Sequence, residues 1–465
     1  MFHIPEARAW MSGIAVVAML ALAGCNEAYD TTLGNGLRVI VKEDRRSPVV
    51  VSMVWYKVGS MDEPKGLTGM SHVLEHMMFK GTERLEPNEF SRIIAEHGGR
   101  ENAFTSYDYT GYFQQLEKSR LPIALELEAD RMQNLKLDEA EFRKEVQVVM
   151  EERRLRTDDR PEALVYEKFM SEAYQVHAYH HPIIGWMDDL ERIRLDDLRE
   201  WYRRWYRPDN AVLVVAGDVD SDEVVALVKK YFDGIPARRL KRPPIPAEPP
   251  QTKERRAVVR APAEVPYLLM GYHVPVHSPA SPEGESSEPY ALSILAGVLS
   301  GGQSARLERE LVREQRVAAS VGAHYDSIGR APTLMLFSGT PTAAHDVAGL
   351  ERALRSQIDR LKKEPVSEAE LARVKAQVVA GDVFRRDSVF YQAMELGQLA
   401  IAGLDLSLLD RRVERLQAVT AEQVMQVARK YLNDPNLTVV TLDPLPLSEG
   451  ARKKPPVPEG GRYAH

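Results

Sequence analysis

The sequence predicts an α+β fold of two homologous domains, each a mainly antiparallel or mixed sheet packed with helices, joined by a proline-rich linker. Three observations carry this expectation. Residues 198–215 and 424–441 read alike: an amphipathic helix, a turn containing Pro and Asn, then a Val-rich strand, the mark of a duplicated unit. Between the two copies, residues 238–256 carry Pro243, Pro244, Pro246, Pro249 and Pro250 among many charges, a composition that favours an extended linker. Short apolar or alternating runs at 37–41, 49–58 and 266–274 read as strands and occupy matching places in the two halves.

Taken in order, the chain opens on an apolar run over residues 10–24, broken only by Ser12 and preceded by Arg8. That run is too short to span a bilayer comfortably and suits the core of a signal peptide. It ends in Leu22-Ala-Gly-Cys25, which resembles a bacterial lipobox. Residues 1–24 are therefore expected to be a lipoprotein signal peptide, with the lipid on Cys25, the only cysteine of the chain. By analogy with bacterial lipoproteins, Asn26 after the cysteine favours the outer membrane. The expected location is the periplasm, with membrane contact through the lipid anchor only. The alternative is an uncleaved apolar helix with a chance cysteine behind it.

Residues 25–237 form the expected first domain. Strands at 37–41 and 49–58 precede a helix in the seventies, a Tyr- and Phe-rich strand spans 102–116, helices fill 121–204, and a strand and helix close the unit. Residues 257–445 repeat the plan, but the helix at 293–300, placed like the helix in the seventies, has no His or Glu. The second domain is thus expected to be metal-free and inactive, and residues 446–465, rich in Pro, Gly and charge, a disordered tail. With 44% hydrophobic and 28% charged residues and a net charge of −7, the 465-residue chain has the composition of a soluble protein. No basic stripe suggests nucleic acid as a partner.

The chemistry is concentrated in Ser-His-Val-Leu-Glu-His-Met-Met-Phe-Lys, residues 71–80. On a helix, His72 and His76 lie at i and i+4, so both imidazoles project from one face and can grip one zinc ion. Glu75 sits on nearly the same face, where a carboxylate can take a proton from an attacking water. This H-x-x-E-H spacing is the inverted zincin motif. Met70, Val73, Leu74, Met77 and Met78 make an apolar stripe on the same helix, and Gly81 is placed to cap its end. Ionisable groups on a buried helix need partners, and a metal supplies one. The bland reading is a pair of core histidines that merely hydrogen-bond.

Catalytic zinc usually has three protein ligands. The helical stretch 141–156 offers Glu145, Val148, Val149 and Glu152 on one expected inward face, whereas Glu151 falls with Lys144, Gln147 and Arg154 on a charged one. Glu152 is accordingly the expected third ligand and Glu145 a candidate to orient a histidine or the water. A surface salt bridge is the alternative role for Glu152.

At this point the chain resembles the pitrilysin/insulinase zinc metallopeptidases, and within them the bacterial branch like the mitochondrial processing peptidase, zinc-bearing subunit. These carry H-x-x-E-H followed downstream by a helical E-x(6)-E, here Glu145 and Glu152. Residues 98–106 are similar to the family's G-G-x-x-N-A-x-T-S segment, and residues 206–217 to its closing strand. The resemblance implies one zinc ion per chain on His72, His76 and Glu152, with Glu75 as the base. It further implies an edge strand, with Asn102, Ala103, Phe104 and Thr105, to which the backbone of a peptide or unfolded protein substrate adds.

One departure matters. Relatives that work alone carry an Arg and, seven residues on, a Tyr in the second half, which reach the substrate near the zinc. Arg313 stands at the Arg position, but the Tyr position falls on Ser320, or on Ala319 with a one-residue gap, and Tyr325 lies too far along. In two-subunit relatives a zinc-free homologue carries the pair, so a homologous zinc-free partner subunit is expected here. The alternatives are a homodimer or lone chain, and, in another class, a non-catalytic scaffold or a peptide-binding lipoprotein. His177, His180 and His181 precede Pro182 and read as a structural loop rather than a second metal site.

Overall fold

The computed structural model describes residues 27–239, 241–277, 279 and 286–447. The lipobox, Cys25 and nearly all of the C-terminal tail lie outside them. Among the described residues the strands form two sheets. The first half contributes β1 (Tyr29–Thr32), β2 (Arg38–Glu43), β3 (Val49–Tyr56), β4 (Arg100–Thr105), β5 (Thr110–Glu117) and β6 (Ala211–Gly217), in the order β1-β2-β6-β3-β5-β4. The second contributes β7 (Arg255–Pro262), β8 (Tyr267–Val274), β9 (Ala318–His324), β10 (Thr333–Pro341) and β11 (Leu437–Leu445), in the order β7-β11-β8-β10-β9. In each sheet one pair is parallel, β2 with β6 and β7 with β11, and the remaining neighbours are antiparallel. Apart from β1, the two orders superpose strand for strand. The duplication read in the sequence is therefore a duplication of sheet topology.

The helices of the first half are α1 (Met70–Met77), α2 (Glu89–Glu96), α3 (Leu121–Asn134), α4 (Glu139–Arg153), α5 (Pro161–Ala173), α6 (Met187–Leu190), α7 (Leu195–Trp205) and α8 (Ser221–Phe232). Those of the second are α9 (Glu288–Ser300), α10 (Val347–Lys363), α11 (Glu368–Arg386), α12 (Val389–Ala402), α13 (Leu408–Ala418) and α14 (Ala421–Tyr431). None of the described helices is long and apolar enough to cross a membrane.

The halves hold each other by exchange. Helix α5 of the first half packs on β7, β8 and β11, and α12 of the second packs on β2, β3 and β6. Each exchange uses a glycine against an aromatic ring. A Cβ on Gly271 would stand 2.5 Å from Phe169 of α5, and one on Gly397 of α12 would stand 2.1 Å from the Trp55 indole. Apolar clusters close around both contacts, Val165 and Met170 against Leu269 and Val440, and Met53 and Val214 against Ala393 and Leu396.

Three local expectations change. Residues 102–116 form a hairpin, β4 and β5, rather than one strand. Ser106 and Asp108, both turn formers, interrupt the run, and the Ser106 amide bonds back to the Tyr109 carbonyl at 2.8 Å. Helix α1 stops at Met77 and runs out in tight turns, with the Lys80 amide on the Met77 carbonyl. Gly81, at φ +99°, therefore makes the next bend rather than the cap. On α4, Val148 is exposed, because the inward face runs through Phe142, Glu145, Val146 and Val149, one helical step away.

Candidate metal and peptidase site

Helix α1 is buried along its whole length. Its first turn is held by Glu63, whose carboxylate oxygens accept the amides of Gly69 and Ser71, both at 2.7 Å. A carboxylate there faces the positive end of the helix, although burial lifts its pKa to about 8. The opposite wall is α4, started by Asp138, whose side chain accepts the amides of Ala140 and Glu141.

Between these helices the expected ligands converge. Oε2 of Glu152 lies 3.8 Å from Nε2 of His72 and 3.5 Å from Nε2 of His76. One donor atom from each of the three falls within 4.8 Å of the other two, and among the described residues no other His/Cys/Asp/Glu group does the same. His76 turns its other nitrogen, Nδ1, to Glu145 at 3.1 Å, and Lys80 reaches Glu145 from the far side at 2.8 Å. Burial works against ionised Glu145, but hydrogen bonds from His76 and Lys80 prevail and hold its carboxyl below the usual range. An ionised Glu145 accepts Nδ1–H of His76, so in the neutral ring that a metal requires the lone pair is on Nε2, the nitrogen nearer Glu152. Burial opposes a proton on His76, yet Glu145 and Glu152 raise its pKa to about 9. The pocket thus concentrates carboxylates around two imidazoles and favours a cation. Two imidazoles and a carboxylate are a donor set that suits zinc, so the residues fit the metal. Glu151, by contrast, is exposed and pairs with Arg154.

Glu75 is fully buried beside this group. Thr105 Oγ1, at the end of β4, donates to its Oε2 at 2.5 Å, and its Oε1 has no hydrogen-bond partner among the described residues. Burial lifts the Glu75 carboxyl to about 7, against the pull of Thr105 and His76. A carboxyl near neutrality with one oxygen anchored and one open can both take and return a proton.

Strand β4, which carries Asn102, Ala103, Phe104 and Thr105, pairs only with β5 and is the edge of its sheet. An extended chain can add there. Beside the histidines a cavity of about 340 Å³ is lined by His72 and Glu152 and by Tyr107, Tyr166, Ile183 and Ile184. Its wall is mostly apolar. These last four residues, with Lys80 and Glu63, were not foreseen, because nothing in their local sequence marks them. Arg313 is not brought to the histidines. It is exposed, and its guanidinium donates to the Gln303 carbonyl of its own half. Ser320 is exposed on β9, and the Tyr325 hydroxyl donates to the Pro275 carbonyl at 2.6 Å. His177 and His181 are buried, and burial lowers both to a pKa of about 4. His177 accepts the Tyr179 amide at Nδ1, as a loop residue would.

The chain is similar to known proteins over most of its length. Residues 38–186 match the family model described as insulinase (peptidase family M16), and residues 192–378 match that of the peptidase M16 inactive domain. The chain is 34% identical to the zinc protease PqqE of Helicobacter pylori over 418 residues, 89% of this chain and 92% of that one. It is 28% identical to a Bacillus subtilis protein named as an uncharacterized zinc protease, YmxG, over 87% of this chain and 95% of that one. Among solved structures, a protease from Helicobacter pylori superposes with a TM-score of 0.85 at 32% identity, over 90% of this chain and all of that one. A Pseudomonas fluorescens structure described as a peptidase M16 inactive domain shares the fold, with a TM-score of 0.80 at 18% identity, over 91% of this chain and all of that one.

Proposed function

This chain belongs to the insulinase family, peptidase family M16, and on that premise we propose that it is a zinc-dependent endopeptidase cutting peptides or unfolded protein segments. The observation that carries the reading is the meeting of His72, His76 and Glu152 beside a buried Glu75 with one open oxygen. Bound by those three residues, a zinc ion would polarise the scissile carbonyl and acidify the attacking water. Glu75 takes the proton from that water and returns it to the leaving amine. Glu145 holds His76 in the tautomer that presents Nε2. β4 aligns the substrate backbone as an added strand, which selects extended chains over folded ones. The apolar cavity beside His72 receives a large apolar side chain next to the cut.

The test uses the purified chain and a quenched extended peptide. One zinc per chain is expected, with turnover lost to a chelator and regained on adding zinc. A zinc-loaded chain that cleaves nothing, alone or with a homologous partner, would favour a scaffold or peptide-binding role instead.

Two finer elements belong to the same proposal. The chain acts as the zinc subunit of a heterodimer, with a homologous zinc-free subunit supplying the missing Arg/Tyr pair. Arg313, occupied with Gln303, and Tyr325, occupied with Pro275, support it. Activity of the single chain that a co-purifying homologue leaves unchanged would refute this. The second element is a lipid anchor on Cys25 in the periplasm, supported by the lipobox-like residues 22–25.

A further inference from the structure

The second half carries no counterpart of the His72–Glu75–His76 group on α9, yet one of its side chains reaches into the framework of that group. Arg330 lies between β9 and β10 and is buried against the first half. Its guanidinium binds Asp62 through both oxygens, Nη1 at 2.8 Å and Nη2 at 3.2 Å. Nη1 also donates to the Asp108 carbonyl at 3.0 Å, and the Arg330 amide donates to the Asp108 carboxylate at 2.9 Å. Tyr179 closes the other oxygen of Asp108 at 2.6 Å.

Both targets are one short step from the reacting groups. Asp62 is followed by Glu63, which holds the first turn of α1 through Gly69 and Ser71. Asp108 lies in the turn after β4, three residues past Thr105, the donor to Glu75. The two segments are also tied to each other. Ser60 and Met61 donate their amides to the carbonyls of Ser106 and Tyr107, at 3.1 and 3.0 Å. Gly59 lies so close to that turn that a Cβ there would stand 2.3 Å from the Ser106 carbonyl. A ring therefore runs from Arg330 through Asp62 and Glu63 to α1, and back from Glu75 through Thr105 to Asp108.

We propose that Arg330 of the second half is a positioning residue for the peptidase site, acting through Asp62 and Asp108 to set Glu75 against the attacking water. The buried, bidentate geometry suits this role, since a planar guanidinium fixes orientation as well as charge. Misplacing a reacting group by about 1 Å costs on the order of a hundredfold in rate. The inference rests on the peptidase reading above, and its test is separable from that reading.

The experiment compares Arg330→Met, Thr105→Val and the double variant in the full chain, each with zinc content measured. Arg330→Met should keep its zinc and its KM within about twofold while kcat falls roughly tenfold to a hundredfold. Thr105→Val should do the same and Thr105→Ser should restore most of the rate, because the hydroxyl is retained. Combined, the two losses should be no larger than the greater single loss, as for groups acting along one path. On metal-free protein, Arg330→Met should speed amide exchange at residues 59–63 and 105–110 and leave α8 unchanged. If Arg330→Met does not fold, Arg330→Lys, which keeps the buried charge, takes its place with the same expectations. A wild-type kcat per zinc-loaded chain in the Arg330 variant that folds, a silent Thr105→Val, or losses that multiply would each overturn the inference. A wild-type chain that turns over no peptide, alone or with its homologous partner, would instead remove the peptidase reading itself.

Discussion

At the scale of single residues, the site divides into groups that hold metal and groups that move a proton. Glu75→Gln keeps the shape of the side chain and removes the base. Peptide turnover should fall by about 10²–10⁴ while zinc stays bound, and a variant with near wild-type turnover would refute the assignment. His72→Ala, His76→Ala and Glu152→Ala should each purify without stoichiometric zinc. Glu145→Ala should keep the ligands and weaken zinc by about 10- to 100-fold, read by competition with a chromogenic chelator. Glu151→Ala, on an exposed side chain, should change neither quantity. His72, Glu75 and His76 were legible because their spacing is that of one helical turn, a local property. Glu152 was legible from its phase on α4. The roles of Lys80 and Arg330, and the bond from Thr105 to Glu75, were not, since each depends on contacts that no local pattern encodes.

Among the elements, the edge strand and the histidine loop make separate predictions. If substrate adds to β4, each backbone hydrogen bond removed by N-methylation of the peptide should raise KM about 2- to 13-fold, the equivalent of about 0.5–1.5 kcal/mol. Methylation at alternate positions, pointing away from β4, should be silent. Equal effects at every position would exclude strand addition. The hairpin that creates this edge was read as one strand, because Tyr and Phe continue across a turn whose signals, Ser106 and Asp108, are spaced singly.

The loop before Pro182 titrates. Burial depresses His177 and His181 to about 4, against about 6.5 in an unfolded chain. Between those values the unfolded chain binds more protons, so stability falls as pH falls. Their contribution is complete above pH 6.5 and disappears as pH drops through 4. The thermal midpoint should therefore decline from pH 7 to pH 4, and more shallowly in the double variant His177→Gln/His181→Gln. Identical slopes would show that other groups dominate acid unfolding.

Across the whole molecule, stability depends on the exchange of α5 and α12 between halves. Gly397→Val would drive a side chain into the Trp55 ring, and overpacking of this kind costs about 1–3 kcal/mol. Urea unfolding should show that loss, and an unchanged midpoint would mean that the halves separate and repack freely. For anchoring, Cys25→Ser should release the protein from membranes without altering its fold, because an acyl chain contributes about 0.8 kcal/mol per buried CH₂. Continued co-sedimentation would point to another anchor.

Periodicity, proline placement and the echo between residues 198–215 and 424–441 were enough to establish two α+β units and the helix that carries His72 and His76, because these features are written within one or two turns of chain. Spacing alone brought Glu152 into consideration. Tertiary structure alone decided the rest: that Val148 faces solvent, that Glu145 lies between His76 and Lys80, that an apolar cavity opens beside His72, and that Arg330 of the second half clasps the loops framing Glu75. Each of these depends on which distant surfaces meet. That is set by the packing of glycines against rings and of helices across sheets, which leaves no period in the sequence to read.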